Sequence, residues 1–446
     1  MKKIAIIVSP KKLENISRPL RYADALFKKK YKTYVACYEE PFNELKQEFN
    51  HIKFIKVPRQ NIIGRINFIF KKLKKTNFQI KQNLDYNKVK INFIDKILYF
   101  PFLIFLKKSG ESNEDTFKRI KLNGFIVFFL QQFRQIIYST TFAFKLYKIL
   151  KKKKIFPSLV VSHDEIGLIS CYLMKKKFKS FFIYDCVEDT KNRLHKKKLS
   201  PTGILGENLF NKIQNTILYK TDALTFVSDS LKKRFMNDYY RNIDNSVIIN
   251  KPWHTWRLKI SKNNLTKKKK KIIWVGYPYP AQGLEFLLKI ANKMQDVNFF
   301  ILGDPQPAWK KWYNDLKSNS PKNIFFQNAK SPKKLLKYMA KFDAGIIPRD
   351  ERLPNNQIAL PNKFFEYLAS GLPIISTNFL EFKKFLDEYN FGSLIFYDQI
   401  DESINSINNF FANQKNILSN KNVISKLAYW DTEQKKLHRL LEKHNL

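Results

Sequence analysis

With 446 residues the chain is too long for one ordinary domain, and at about 150 residues per domain it has room for two or three. Its 82 Lys+Arg against 38 Asp+Glu give a formal net charge of +44, which excludes an acidic solvating protein and points to anionic partners: nucleic acid, an anionic membrane face or phosphorylated substrates. At 44% hydrophobic and 15% aromatic, with 40 Phe against 12 Gly, it is neither disordered nor collagen-like nor of low complexity.

Met1-Lys2-Lys3 leads into only five apolar residues, 4–8, too few for the core of a signal peptide and read as a first buried strand. A polar loop follows. Leu20, Ala23, Leu26 and Phe27 then recur at helical spacing over 19–29, and strands are expected at 34–37 and 51–57. This is how a doubly wound sheet opens. No GxGxxG follows the first strand, which argues against a dinucleotide site.

Residues 60–155 are rich in Phe, Ile and Lys and show no clear strand. The apolar run 97–106 abuts Lys107 and Lys108, and four lysines at 151–154 close the segment. Two readings stand: buried helices with solvated lysines, or an interfacial surface whose aromatics dip into lipid while lysines meet anionic headgroups. Neither 97–106 nor 125–144, which carries Gln131, Gln132 and Arg134, reaches the roughly 18 uncharged apolar residues of a spanning helix.

The α/β pattern resumes with strands at 158–162, 180–184, 223–227 and 247–249 and helices at 165–175 and 205–219, another starting at Ser228-Asp229-Ser230. Residues 258–271 are polar, end in lysines and read as a linker. Strands then return at 272–275, 297–302, 324–326, 344–347, 374–376 and 394–396. The expected division is an N-terminal domain 1–257 with an insertion at about 60–155, a linker 258–271, a C-terminal domain 272–422 and a helical tail 423–446. Cys37, Cys171 and Cys186 make neither a disulfide framework nor a ligand spacing, so a reducing compartment is the simplest reading. The six histidines are scattered, no Asp-x-Asp occurs, and no metal is implied.

The most informative segment is Ala359 to Thr377. Pro361 sits near a helix start, where its missing N–H costs nothing, while Gly371 is the natural C-terminal cap and Pro373 prevents continuation. Phe364 and Leu368 share an apolar face, and Lys363 and Glu366 the other. A cation and a carboxylate thus flank the first turn of a helix whose N–H groups favour an anion, an arrangement suited to a diphosphate and a ribose. A plain surface Lys–Glu pair reads the same way.

This segment resembles the nucleotide-sugar motif of GT-B glycosyltransferases, especially family 4 and its relatives. Further pieces occur in the family's order. Ser17-Arg18-Pro19-Leu20-Arg21-Tyr22 resembles the first helix, and Tyr184-Asp185-Cys186-Val187-Glu188 a Tyr-Asp-x-His-Glu stretch. Leu224-Thr225-Phe226-Val227-Ser228 resembles the strand before the crossover, and Trp274-Val275-Gly276 with Gln282-Gly283 a Val-Gly-Arg…Lys-Gly loop. Phe300-Ile301-Leu302-Gly303 and Ala428-Tyr429-Trp430-Asp431 match a later strand and the terminal helix. The resemblance implies an α/β chain of two Rossmann-like domains facing each other across a cleft. In that family a glutamate at the position of Glu366 bonds the donor ribose, a basic residue at that of Lys363 approaches the diphosphate, and the loop at 276–283 brings backbone N–H groups to the same phosphates.

The departures are specific. The family's second glutamate is Ile358 here, its loop arginine is Tyr277, its loop lysine is Gln282 and its N-domain histidine is Val187. Arg349, with Arg352 a further candidate, is then expected to share the diphosphate charge with Lys363, and Gly276, Tyr277, Gln282, Gly283, Asn362 and Glu366 complete the donor side. On the acceptor side His163, Asp164, Asp185 and Glu188 follow strand ends, where open α/β sheets place their sites. An inverting enzyme would need one of them as general base, a retaining one would not, and loop-capping is the alternative role for each.

The expectation is a metal-independent glycosyltransferase of the hexosyltransferase class. A nucleotide sugar is its substrate, no cofactor is required, and the acceptor is a glycan or lipid-linked saccharide in capsule or lipopolysaccharide biosynthesis. It would be cytoplasmic and peripheral to the inner face of the membrane, against an anionic surface. The alternatives are a nucleotide-sugar epimerase of the same architecture and a basic nucleic-acid-binding protein. Against the latter, and against any nucleic-acid partner, the chain carries no helix-turn-helix, zinc-finger or RNP-type signature.

Overall fold

The structure is a computed structural model that describes residues 3–10, 18–41, 43–59, 112–116, 118, 133–188, 201–239, 242–258, 269–350, 352–358 and 360–446. The expected interfacial run at 97–108 and most of the expected linker lie outside these residues. The chain divides into two compact units, Met1–Thr225 and Phe226–Leu446.

The first unit runs β1 (Ile4–Val8), α1 (Arg18–Lys28), β2 (Lys32–Cys37), α2 (Asn43–Glu48), β3 (Lys53–Lys56), α3 (Arg134–Lys152), β4 (Leu159–His163), α4 (Leu168–Phe178), β5 (Phe181–Cys186), α5 (Pro201–Leu218) and β6 (Ala223–Phe226). A seven-stranded sheet has the order β3-β2-β1-β4-β5-β6-β7, with β7 at Asp244–Val247. Strands β1, β2, β3, β4 and β5 pair in parallel, with Val8 opposite Ala36 on one side and Ser162 on the other. Ala5, Ile6, Ile7 and Val8 are fully buried, as the continuous apolar run of a strand covered on both faces requires. The strand order reverses between β1 and β4, so the crevice beyond Val8 and His163 is a topological switch point.

Two of the elements that shift from their expected bounds do so for an identifiable reason. Helix α4 begins at Leu168 and not at 165, because Asp164 takes a left-handed φ of 74° and its Oδ1 accepts the Ile166 N–H at 2.9 Å. That Asx-type turn competes with the first helical turn. Strand β7 lies at Asp244–Val247, ahead of the apolar stretch at 247–249, and is half-buried throughout. Its polar residues hide it from a hydrophobicity reading.

The second unit continues with α6 (Asp229–Tyr239), β7, β8 (Lys270–Val275), α7 (Leu284–Lys293), β9 (Val297–Leu302), α8 (Lys310–Ser318), β10 (Ile324–Gln327), α9 (Pro332–Met339) and β11 (Ala344–Ile347). Then come α10 (Pro354–Ile358), α11 (Asn362–Ala369), β12 (Ile374–Thr377), α12 (Leu380–Tyr389), β13 (Gly392–Ile395), α13 (Ile400–Ala412), α14 (Gln414–Ser419), α15 (Lys421–Leu427) and α16 (Asp431–Glu442). Strands β8 to β13 pair in parallel in the order β10-β9-β8-β11-β12-β13, reversing between β8 and β11. Strands β8 and β9 pair from Lys270↔Val297 to Val275↔Leu302, whereas β8 and β11 pair only at Ile272↔Ala344 and Ile273↔Gly345. The sheet therefore opens at the carboxyl ends of β8 and β11. In α16 the fully buried Glu433 accepts the Ile249 N–H at 2.9 Å and pairs with Lys251 at 2.8 Å, tying the tail to the segment after β7.

The three cysteines are buried and in no disulfide. Among the described residues no helix is long and apolar enough to cross a membrane.

Candidate functional site

The opening between β8 and β11 gathers the expected donor-side residues. Strand β8 is followed by Gly276, whose φ of 147° suits glycine, and a Cβ there would stand 3.1 Å from the Lys363 Nζ. A short turn at Pro280–Gln282 leads to Gly283, with φ 75°, which opens α7. A Cβ on Gly283 would overlap the Pro348 carbonyl at 1.6 Å, so the backbones of the loops after β8 and β11 pass in direct contact.

Helix α11 supplies the cation. Pro361 is its N-cap, with φ −70°. At its far end the Leu372 N–H bonds the Tyr367 carbonyl and the Gly371 N–H that of Leu368, with Gly371 at φ 70°. This is a Schellman closure on the expected glycine. Lys363 is 6% exposed; its Nζ lies 4.2 Å from the centroid of the fully buried Trp274 ring and donates to Gln282 Oε1 at 2.9 Å. Arg349 Nε donates to the same oxygen at 3.4 Å. Burial holds the Lys363 ammonium well below its ordinary value of 10.5 and the Arg349 charge adds to that, while Glu366 opposes. Glu366 itself is half-buried. The sequence reading set Lys363 and Glu366 on one face away from the core. The structure corrects this for Lys363, which turns inward under the glycine loop.

Tyr367, fully buried, holds this corner together and was not expected. Its hydroxyl accepts the Val275 N–H at 3.1 Å and faces the Ile273 and Ile346 carbonyls at 3.1 and 3.3 Å. It thus serves backbone groups of both strands close to where their pairing stops. Gly345 is the one signal that could have found it, since a glycine inside an apolar strand marks a close approach.

The other donor-side residues contribute less. Tyr277 is 40% exposed. Asn362, exposed in the first turn of α11, accepts a hydrogen bond from the Asn250 side chain. Arg352 is held by carboxylates, with Nε 2.8 Å from Asp350 and Nη2 3.1 Å from Asp398, so it is not the spare cation the sequence suggested.

In the first unit the expected acceptor-side residues separate by role. Asp185, 1% exposed, accepts from Arg18 Nε (2.8 Å) and Nη2 (2.6 Å), Tyr22 (3.0 Å) and Thr225 (2.8 Å), and its Oδ2 lies 2.9 Å from His163 Nδ1. Burial pushes its carboxyl up, but the Arg18 charge and hydrogen bonds and His163 outweigh this and hold it well below the usual carboxylate range. Saturated by its partners, Asp185 is a buried anchor and not the base the sequence allowed. Asp164, fully buried, shapes the turn before α4, which corrects its expected role in the same way. Glu188 is exposed. His163, at the end of β4 and 5% exposed, is oriented by Asp185 at the switch point.

Residues 269–413, which contain every donor-side residue named above, match the family Glycosyl transferases group 1. A stretch of 56 residues is 39% identical to TuaH of Bacillus subtilis (strain 168), whose name assigns it to teichuronic acid biosynthesis as a glycosyltransferase. That stretch spans 13% of this chain and 14% of TuaH. The fold is similar to that of Anabaena Alr3699/HepE in complex with UDP, with TM-score 0.64 and 10% identity over 99% of this chain and 100% of the other. It is also similar to sucrose-phosphate synthase from Thermosynechococcus elongatus, with TM-score 0.66 and 11% identity over 99% of both chains. The resemblance read from the sequence holds for the fold: the chain has the GT-B glycosyltransferase fold, and its residues 269–413 are similar to group 1 glycosyl transferases.

Proposed function

We propose that the protein transfers a sugar from a nucleoside-diphosphate sugar to a glycan or lipid-linked acceptor in envelope polysaccharide synthesis. The observation that carries this reading is the convergence of Lys363 and Arg349 on one point beside Gly276 and the start of α11. Bond breaking at the sugar anomeric carbon leaves its electron pair on a diphosphate oxygen, and two fixed cations with a helix N-terminus stabilise that growing charge. Glu366, one turn further along α11, would take the ribose hydroxyls. Support for a nucleotide donor comes from HepE, crystallised with UDP and with UDP-glucose. Support for an envelope glycan comes from the name of TuaH.

Because Lys363 and Arg349 meet the diphosphate charge, transfer proceeds without a divalent metal on this reading. Activity abolished by a chelator and restored by Mg²⁺ or Mn²⁺ would contradict that. The exposed lysines at 151–154, at the end of α3, suit a peripheral position on an anionic surface. Co-sedimentation with anionic but not neutral vesicles tests this. The donor is identified by incubating the protein with a panel of nucleotide sugars and measuring free nucleotide. Release from none of them, with and without envelope glycan acceptors, would sink the reading.

A further inference from the structure

The amide oxygen of Gln282 occupies a position that two cations share. It accepts from Lys363 Nζ at 2.9 Å and from Arg349 Nε at 3.4 Å, and the Gln282 side chain is itself 4% exposed. A neutral carbonyl is a weak partner for two positive groups in a buried place, because a dipole offsets only part of their repulsion and their lost hydration. An anionic oxygen at the same point would satisfy both through charge-assisted bonds about twice as strong. Gly276 stands beside the Lys363 Nζ and Gly283 against the Pro348–Arg349 backbone, and Lys363 itself lies in the first turn of α11. The side chain of residue 282 is thus seated where an oxyanion would be best stabilised. It starts from a turn between Tyr279 and Gly283 and so hangs on a loop, not on a strand or a long helix.

We propose that Gln282 is a place-holder for a donor phosphate oxygen: it keeps Lys363 and Arg349 aimed at one point in the empty site and yields that point to the diphosphate. This inference rests on the donor site proposed above and adds a competitor built into it. A residue that competes for the ligand's position behaves oppositely to one that binds the ligand. Removing it leaves affinity unchanged or improves it. Giving it a negative charge makes it a better competitor, since Lys363 and Arg349 then close on a carboxylate.

The test is calorimetric titration of inorganic pyrophosphate, and in a second arm UDP, into the wild-type protein, Gln282→Ala and Gln282→Glu, with Lys363→Ala and Arg349→Ala as references. Circular dichroism and thermal melting confirm that each variant is folded. Pyrophosphate affinity within twofold of wild type or tighter in Gln282→Ala, together with a loss of tenfold or more in Gln282→Glu, is the expected result. A weaker affinity in Gln282→Ala, or an unchanged one in Gln282→Glu, overturns the place-holder role. If Lys363→Ala and Arg349→Ala both bind pyrophosphate as wild type does, the donor-site reading itself fails and this inference with it.

Discussion

The ring of Tyr367 fills the space that Gly345 leaves open: a Cβ on Gly345 would stand 2.4 Å from the ring's Cγ. The strand lacks a side chain there, and so a helix residue can reach backbone groups of β8 and β11 where the two strands part. The proposed donor site is built on that parting, which on this reading makes Tyr367 a positioning residue for Lys363, one turn earlier on α11.

Tyr367→Phe keeps the ring and leaves the buried Val275 N–H without its partner. A loss of about 1–3 kcal/mol in urea unfolding is expected, with a donor KM raised several-fold. Tyr429→Phe is the comparison: it removes a hydroxyl bond to the Ala369 carbonyl at the far end of α11 and is expected to lower stability without moving KM. Equal KM values for wild type and Tyr367→Phe would reduce Tyr367 to a purely structural residue.

Lys363→Ala and Glu366→Ala are each expected to lower transfer roughly ten- to a hundred-fold, the loss of one charge-assisted contact worth about 1.5–3 kcal/mol. The fold should survive, as checked by circular dichroism. Near-normal donor affinity and turnover in both variants would remove the assignment.

The lowered Lys363 ammonium predicts a pH dependence of binding. Burial and Arg349 favour the neutral amine of Lys363 and hold its ammonium below the ordinary value of 10.5. A bound diphosphate favours the ammonium, so binding takes up a proton wherever the free site has lost one. UDP affinity therefore falls as pH rises through the depressed Lys363 value toward 10.5. Lys363→Arg, which stays charged, is expected to flatten that slope, and a slope unchanged in this variant would assign it to another group.

Asp185→Asn is expected to destabilise the first unit by about 3–5 kcal/mol, because it leaves the buried Arg18 guanidinium uncompensated. The folded carboxyl lies below its ordinary value of 3.8, so its stabilisation is full above that pH and is lost as pH falls below it. Unfolding followed from pH 7 to 2 should show a steep acid limb in wild type and a shallower one in Asp185→Asn.

Much of this architecture was legible in the sequence, because buried parallel strands read as short apolar runs. Strands β9 and β11 fall where 297–302 and 344–347 predicted them. The polar strand β7 did not stand out, and the turn at Asp164 moved the start of α4. At the proposed donor site, the glycines, Lys363 and Glu366 stood out through family resemblance. The inward turn of Lys363 was not, since its partner Gln282 lies 81 residues away, nor was the Tyr367 hydroxyl bond to Val275 across 92 residues. A local pattern reports helix faces and caps. It does not report which distant loop a side chain will meet.

The most direct measurement is a crystal structure of the protein with UDP. Diphosphate oxygens are expected within hydrogen-bonding reach of Lys363 Nζ, Arg349 and the backbone between Gly276 and Gly283, and ribose hydroxyls on Glu366. A nucleotide bound elsewhere, with Lys363 still on Gln282 and Trp274, would contradict this expectation.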